Sequence, residues 1–104
     1  MAIVHVSPGI CGLQTKLTIT ADEDQAVTVL IESDCPHIQA MQAELNELDG
    51  YTECFARFST SAVYAAADKH CQHLACPVPG AIVKGMEVAC GLALPKDVVI
   101  RIEK

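Results

Sequence analysis

The sequence predicts an α+β domain, with a mixed or mainly antiparallel sheet of about four strands and two to three helices packed on one face. Three observations predict it. Strand-like segments separated by short turn signals fill the first third of the chain, helical periodicity dominates the middle, and an alternating apolar run closes it at Val98–Glu103. A length of 104 residues, 51% of them apolar, suits one domain spanning 1–104 with a real core.

The opening run Ala2-Ile-Val-His-Val6 reads as a strand, which Ser7-Pro8-Gly9 ends with turn chemistry. From Gln14 to Thr20 the chain alternates, with Leu17 and Ile19 on one face and Lys16, Thr18 and Thr20 on the other. After the polar turn Asp22-Glu23-Asp24, Ala26–Ile31 reads as a strand with apolar residues on both faces, as a central position requires. Three strands in succession suggest an antiparallel meander. Next, Ser33-Asp34-Cys35-Pro36 places proline at the first helical position and Cys35 at the N-cap. The helix behind it carries Ile38, Met41, Leu45 and Leu48 on one stripe and stops at Gly50.

Tyr51–Phe58 fits a short strand or an irregular connection equally well. Ser59-Thr60-Ser61 caps a short alanine-rich helix from about Ala62 to His70. Pro77-Val-Pro79-Gly80 opens a further helix over roughly residues 80–91, with Ile82, Met86 and Cys90 along one face, and Gly91 and Pro95 end it. The closing strand alternates Val98, Ile100 and Ile102 against Val99, Arg101 and Glu103.

Thirteen acidic residues against seven basic ones give a formal charge of −6, and no Lys/Arg cluster is present to follow a phosphate backbone. Nucleic acid is therefore not an expected partner. The first eight residues lack a basic region and an unbroken apolar stretch, and no segment approaches the roughly 20 apolar residues of a membrane span. A cytoplasmic location is the expectation, where thiols stay reduced. Six cysteines in such a chain point away from a disulfide framework and towards a metal centre.

Free cysteine often serves as a small buried hydrophobe, so each position is weighed against that role. Cys90 fits it, sharing a helix face with Ile82 and Met86, whereas Cys54 stays undecided among aromatic neighbours. Cys11, Cys35, Cys71 and Cys76 instead occur where the chain turns. Cys11 lies in Gly9-Ile-Cys-Gly12, Cys35 and Cys76 each precede a proline at a helix start, and Cys71 falls at a helix end. The macrodipole and free N–H groups at a helix N-terminus favour the thiolate, the form that binds metal or attacks electrophiles.

Four thiolates from dispersed loops match the ligation of an iron–sulfur cluster, and a proline after a ligand cysteine is familiar there. No C-x₂-C is present, which argues against a thioredoxin-type dithiol and the common zinc ribbon. His70 and His73 lie beside Cys71, as ligands of a zinc site or donors to cluster sulfur, against a bland reading as polar residues at a helix end. His5 and His37 have no companions in sequence. A nucleophilic Cys35 or Cys76 with a histidine base is a further alternative, though no triad signature accompanies it.

The stretch Val29-Leu-Ile-Glu-Ser-Asp-Cys35-Pro-His-Ile-Gln-Ala-Met-Gln42 resembles the first half of the TSCPD domain, a small cysteine-containing module found alone and at the end of some cobalamin-dependent ribonucleotide reductases. Cys71 to Cys76-Pro77, followed by Gly80-Ala-Ile-Val-Lys-Gly-Met-Glu87, resembles its second half, and the two cover about half the chain. Ala75-Cys76-Pro77-Val78 keeps only the Cys-Pro of the motif that names the family. The resemblance implies that Cys35, Cys71 and Cys76 meet in space as metal ligands; Cys11 lies outside the matched stretch. The overall pattern also looks like small cysteine-containing proteins of anaerobic prokaryotes, a setting that suits an oxygen-sensitive cluster.

The reading that follows is a non-enzymatic iron–sulfur protein. Cys11, Cys35, Cys71 and Cys76 would hold one 4Fe–4S cluster for electron transfer, cluster delivery or sensing, with a protein redox or cluster-transfer partner. The alternatives are a zinc-binding structural or interaction module and a thiol-dependent redox enzyme. A homodimer through an exposed sheet edge is compatible with so small a domain, and the sequence does not choose between monomer and dimer.

Overall fold

The alternation in the first third of the chain builds three strands, β1 (Ala2–Val6), β2 (Thr15–Ala21) and β3 (Ala26–Ser33), hydrogen-bonded as an antiparallel meander. They are seen in a computed structural model covering residues 1–104. Register aligns Ala2 with Ile19 and Val29, and Val4 with Leu17 and Ile31, so the apolar residues form rows across one face of the sheet. Helices α1 (Pro36–Ala40), α2 (Gly50–Cys54), α3 (Ala62–His70) and α4 (Val78–Ala89) complete the architecture with β4 (Leu48–Asp49), a two-residue strand beside β3. The sheet order is β1-β2-β3-β4, every pair antiparallel, and the fold is α+β as the sequence predicts. None of the helices is long and apolar enough to cross a membrane.

One core joins the layers. Leu17, Ile19, Val27, Val29 and Ile31 from the sheet meet Ile38, Met41, Leu45, Val63, Val78, Ile82 and Met86 from the other side, all buried. Because the helices cover a single face, β3 is not apolar on two buried sides as its composition suggests. Leu30 is 51% exposed and Thr28 faces solvent.

Three further expectations are corrected. The helix read through Leu48 stops at Ala40 and continues only as a 3₁₀ turn over Met41–Glu44. The reason lies in the free edge of β3. Gln42 accepts from the Ile31 N–H at 2.7 Å and donates to the Val29 carbonyl at 2.7 Å. Gln39 does the same one step along, accepting from Ser33 N–H and donating to the Ile31 carbonyl, each at 2.9 Å. Two side-chain amides thus substitute for a neighbouring strand, and Leu45 then turns its carbonyl to the Val29 N–H at 3.1 Å. A continuous α-helix would carry Leu45 past that position.

Gly50 consequently starts α2 instead of ending a helix, and the segment read as strand or irregular chain is helical up to Cys54. The terminal segment Val98–Glu103 pairs with nothing. It lies outside the sheet, and the fourth strand is β4.

Helix α4 lies across β1 and β2, with Gly85 at the closest approach. A Cβ there would sit 2.4 Å from Ile19 Cδ1 and 2.7 Å from Val4 Cγ2. Gly85→Val is expected to push the helix off the sheet and cost about 1–3 kcal/mol by overpacking. The check is a urea titration, and an unchanged midpoint would show that the layers are loose at this point.

Candidate metal centre

Cys35 is set by the end of β3 and the start of α1. Its backbone is extended at the N-cap, Pro36 follows at the first helical position, and its N–H donates to Ser33 Oγ at 3.1 Å. Ser33 Oγ in turn lies 2.8 Å from Thr15 Oγ1, tying this corner to β2. Cys71 caps the C-terminus of α3, its N–H bonded to the Ala67 carbonyl at 2.7 Å. Its thiol donates to the His73 carbonyl at 3.3 Å, and Cys76 N–H reaches the same carbonyl at 3.2 Å. The loop from Cys71 to Cys76 is therefore folded on itself, which brings the second thiol back towards the first.

These three thiols gather at one end of the sheet. All are half-buried against the core, and both Cys71 and Cys35 act electrostatically on Cys76. Burial pushes the Cys76 thiol's pKa up, the two neighbouring thiols add to the rise, and a hydrogen bond from the Val78 N–H pulls the other way. The helix start thus contributes as the sequence predicts, through one N–H group, but desolvation outweighs it. Pro77 is the N-cap of α4, which begins at Val78, slightly ahead of the start near residue 80 expected from sequence. A cation among these sulfurs would reverse the balance, since metal binding displaces the thiol proton.

Cys11 stands apart. It is exposed in the β1–β2 loop, where Gly9 and Gly12 take φ of 100° and 68° and Gly12 N–H bonds to the Gly9 carbonyl at 3.0 Å. The left-handed backbone, more than any close ligand approach, accounts for those glycines. The base of the loop is fastened beside Cys35: Asp34 N–H donates to the Gln14 carbonyl at 3.0 Å, and Gln14 N–H to Asp34 Oδ2 at 3.2 Å. Cys11 is thus carried at the same end of the sheet without joining the other three. No group of three or more His, Cys, Asp or Glu side chains is drawn into a shape that holds a metal ion.

The remaining cysteines lie at the opposite end of β3. Cys90 is buried at the end of α4, its carbonyl accepting from Gln25 Nε2 at 3.2 Å, and its sulfur fills the space beside Gly50. The core role expected for it holds. Cys54, undecided from sequence, packs half-buried against the same core, and burial, followed by Cys90 and nearby carboxylates, pushes its thiol up to about 11. His70 is engaged elsewhere, its Nε2 2.8 Å from Glu44 Oε2, while Lys69 reaches Glu44 Oε1 at 2.9 Å. Lys69 first, then His70, holds the Glu44 carboxyl below its usual range, and the pair fastens the end of α3 to the 3₁₀ turn. His73 is exposed.

The fold defines a small α+β domain with three half-buried cysteines, at the ends of β3 and α3 and ahead of α4. The chain belongs to DUF6951, a family of unknown function, whose model matches residues 2–102. No curated protein and no solved structure matches it.

Proposed function

We propose that the chain is a cytoplasmic iron–sulfur protein, with one 4Fe–4S cluster held by Cys35, Cys71, Cys76 and, from the neighbouring loop, Cys11. The observation that carries this reading is that Cys35, at the end of β3, and the loop pair Cys71 and Cys76 are half-buried against the same core, with Cys35 and Cys71 near enough to act on the Cys76 thiol. The likeness to the TSCPD domain implies the same three residues. Half-burial beside an aliphatic core limits water at the site, and the Val78 N–H would donate to ligand sulfur, two of the means by which a protein sets a cluster's potential. The role is electron transfer, cluster delivery or sensing, towards a protein partner.

Anaerobic purification followed by iron, sulfide and visible absorption measurement tests it. Charge-transfer bands with iron and sulfide in equal amounts are expected. Cys71→Ser, Cys76→Ser and Cys11→Ser should bleach those bands, and Cys54→Ser should leave them intact. Zinc in place of iron, in a chain that unfolds with a chelator, would replace this reading by a structural metal module. A colourless, metal-free protein after reconstitution would end both.

A further inference from the structure

We infer that residues 98–103 are an exchanged strand, added to the free edge of β1 in a second copy of this chain, so that two copies form a reciprocal dimer. β1 has β2 on one side and nothing on the other. Beyond the Leu92 N–H, which bonds to the Glu87 carbonyl at 2.8 Å, no backbone group makes a hydrogen bond within the chain. The segment nonetheless has the composition of a strand: Val98, Val99, Ile100 and Ile102 are 60%, 79%, 72% and 89% exposed. Four β-branched apolar side chains in six residues, standing in water with unpaired peptide groups, are a strand without a sheet.

The edge of β1 has the matching defect. In the row Val4, Leu17, Ile31, the last two are 0% and 2% exposed, whereas Val4 at the unflanked edge stays partly open between the buried Ala2 and Val6. A fifth strand would set one of Val98, Ile100 and Ile102 beside Val4 under the flank of α4, with Val99, Arg101 and Glu103 on the solvent face. The lengths agree, five residues in β1 and six in the segment. The chain leaves the core after Leu92 through the exposed stretch 93–97. Pro95 holds the residue before it extended, and the longest dimension of the chain is 43 Å against 28 and 24 Å. A segment directed away from its own sheet is positioned for another copy, and two-fold symmetry makes the exchange mutual. Both edges are then covered, towards the roughly 1,200–2,000 Å² of a stable interface.

Light scattering on the full chain should give twice the 11.1 kDa of one copy. Ile100→Pro, which removes a ladder donor at a residue outside the core, should return the mass to one copy with the helical circular dichroism retained. Hydrogen exchange supplies the second reading: amides of 98–102 should exchange at least about tenfold more slowly in the wild type than in Ile100→Pro. A monomeric wild type overturns the inference, as does a dimer that survives Ile100→Pro or one whose terminal amides exchange freely.

Discussion

Glu53→Ala should destabilise the folded chain by about 3–5 kcal/mol, because a single buried carboxyl group organises the start of α3. Glu53 is 7% exposed and accepts from Ser61 Oγ–H, from Ala62 N–H at 3.0 Å and from Val63 N–H at 3.0 Å. Ser61, the N-cap, is thereby oriented to accept from Tyr64 N–H at 3.1 Å. These are the N–H groups that a helix leaves without internal partners, and here they are screened from water by α2. Removing the carboxyl strands the donors in the interior and frees the cap. Thermal unfolding should register the loss at roughly 4–8 °C per kcal/mol. Glu53→Gln keeps one acceptor oxygen and should recover part of the loss; equal losses for Gln and Ala would mean that side-chain volume, not hydrogen bonding, holds α2 to α3.

Gln42→Leu should cost about 2–4 kcal/mol, since it leaves an N–H and a carbonyl of β3 unpaired and partly buried. Leucine preserves bulk and helix propensity, so the effect isolates the amide. Gln39→Leu, at a more exposed position, should cost less. Urea unfolding of the two variants measures the difference. If Gln42→Leu unfolds at the wild-type midpoint, the edge of β3 is satisfied by water and the amide is incidental. The same experiment reaches the candidate metal centre, because Gln39 bonds to the Ser33 N–H two residues before Cys35. A β3 edge that frays should loosen Cys35 relative to Cys71 and Cys76.

Much of this was legible in the residues. Leu17 and Ile19 announce β2 by alternation, Ser61 is a visible cap, and the Ile82, Met86, Cys90 spacing identifies the buried stripe of α4. Gln39 and Gln42 were not legible as edge ligands, because glutamine on a helix surface reads as solvated polar and its partners on β3 lie between 6 and 13 residues upstream. Glu53 was missed for the same reason. A carboxyl in an ambiguous segment gives no sign that three donors across a turn converge on it.

The sequence by itself determined the antiparallel meander, the start of α1 after Cys35, the start of α3 at Ser61 and the core role of Cys90. Each of these depends on neighbours within a turn or on a short period, and such information is local. Tertiary structure decided where α1 stops, since the unpaired edge of β3 draws Gln42 and the Leu45 carbonyl towards itself. It decided which thiols share a corner, because the end of β3 and the turn between α3 and α4 meet only once the helices have packed. It also left Val98–Glu103 outside the sheet, for a strand's pattern states which face is apolar but not which edge will receive it.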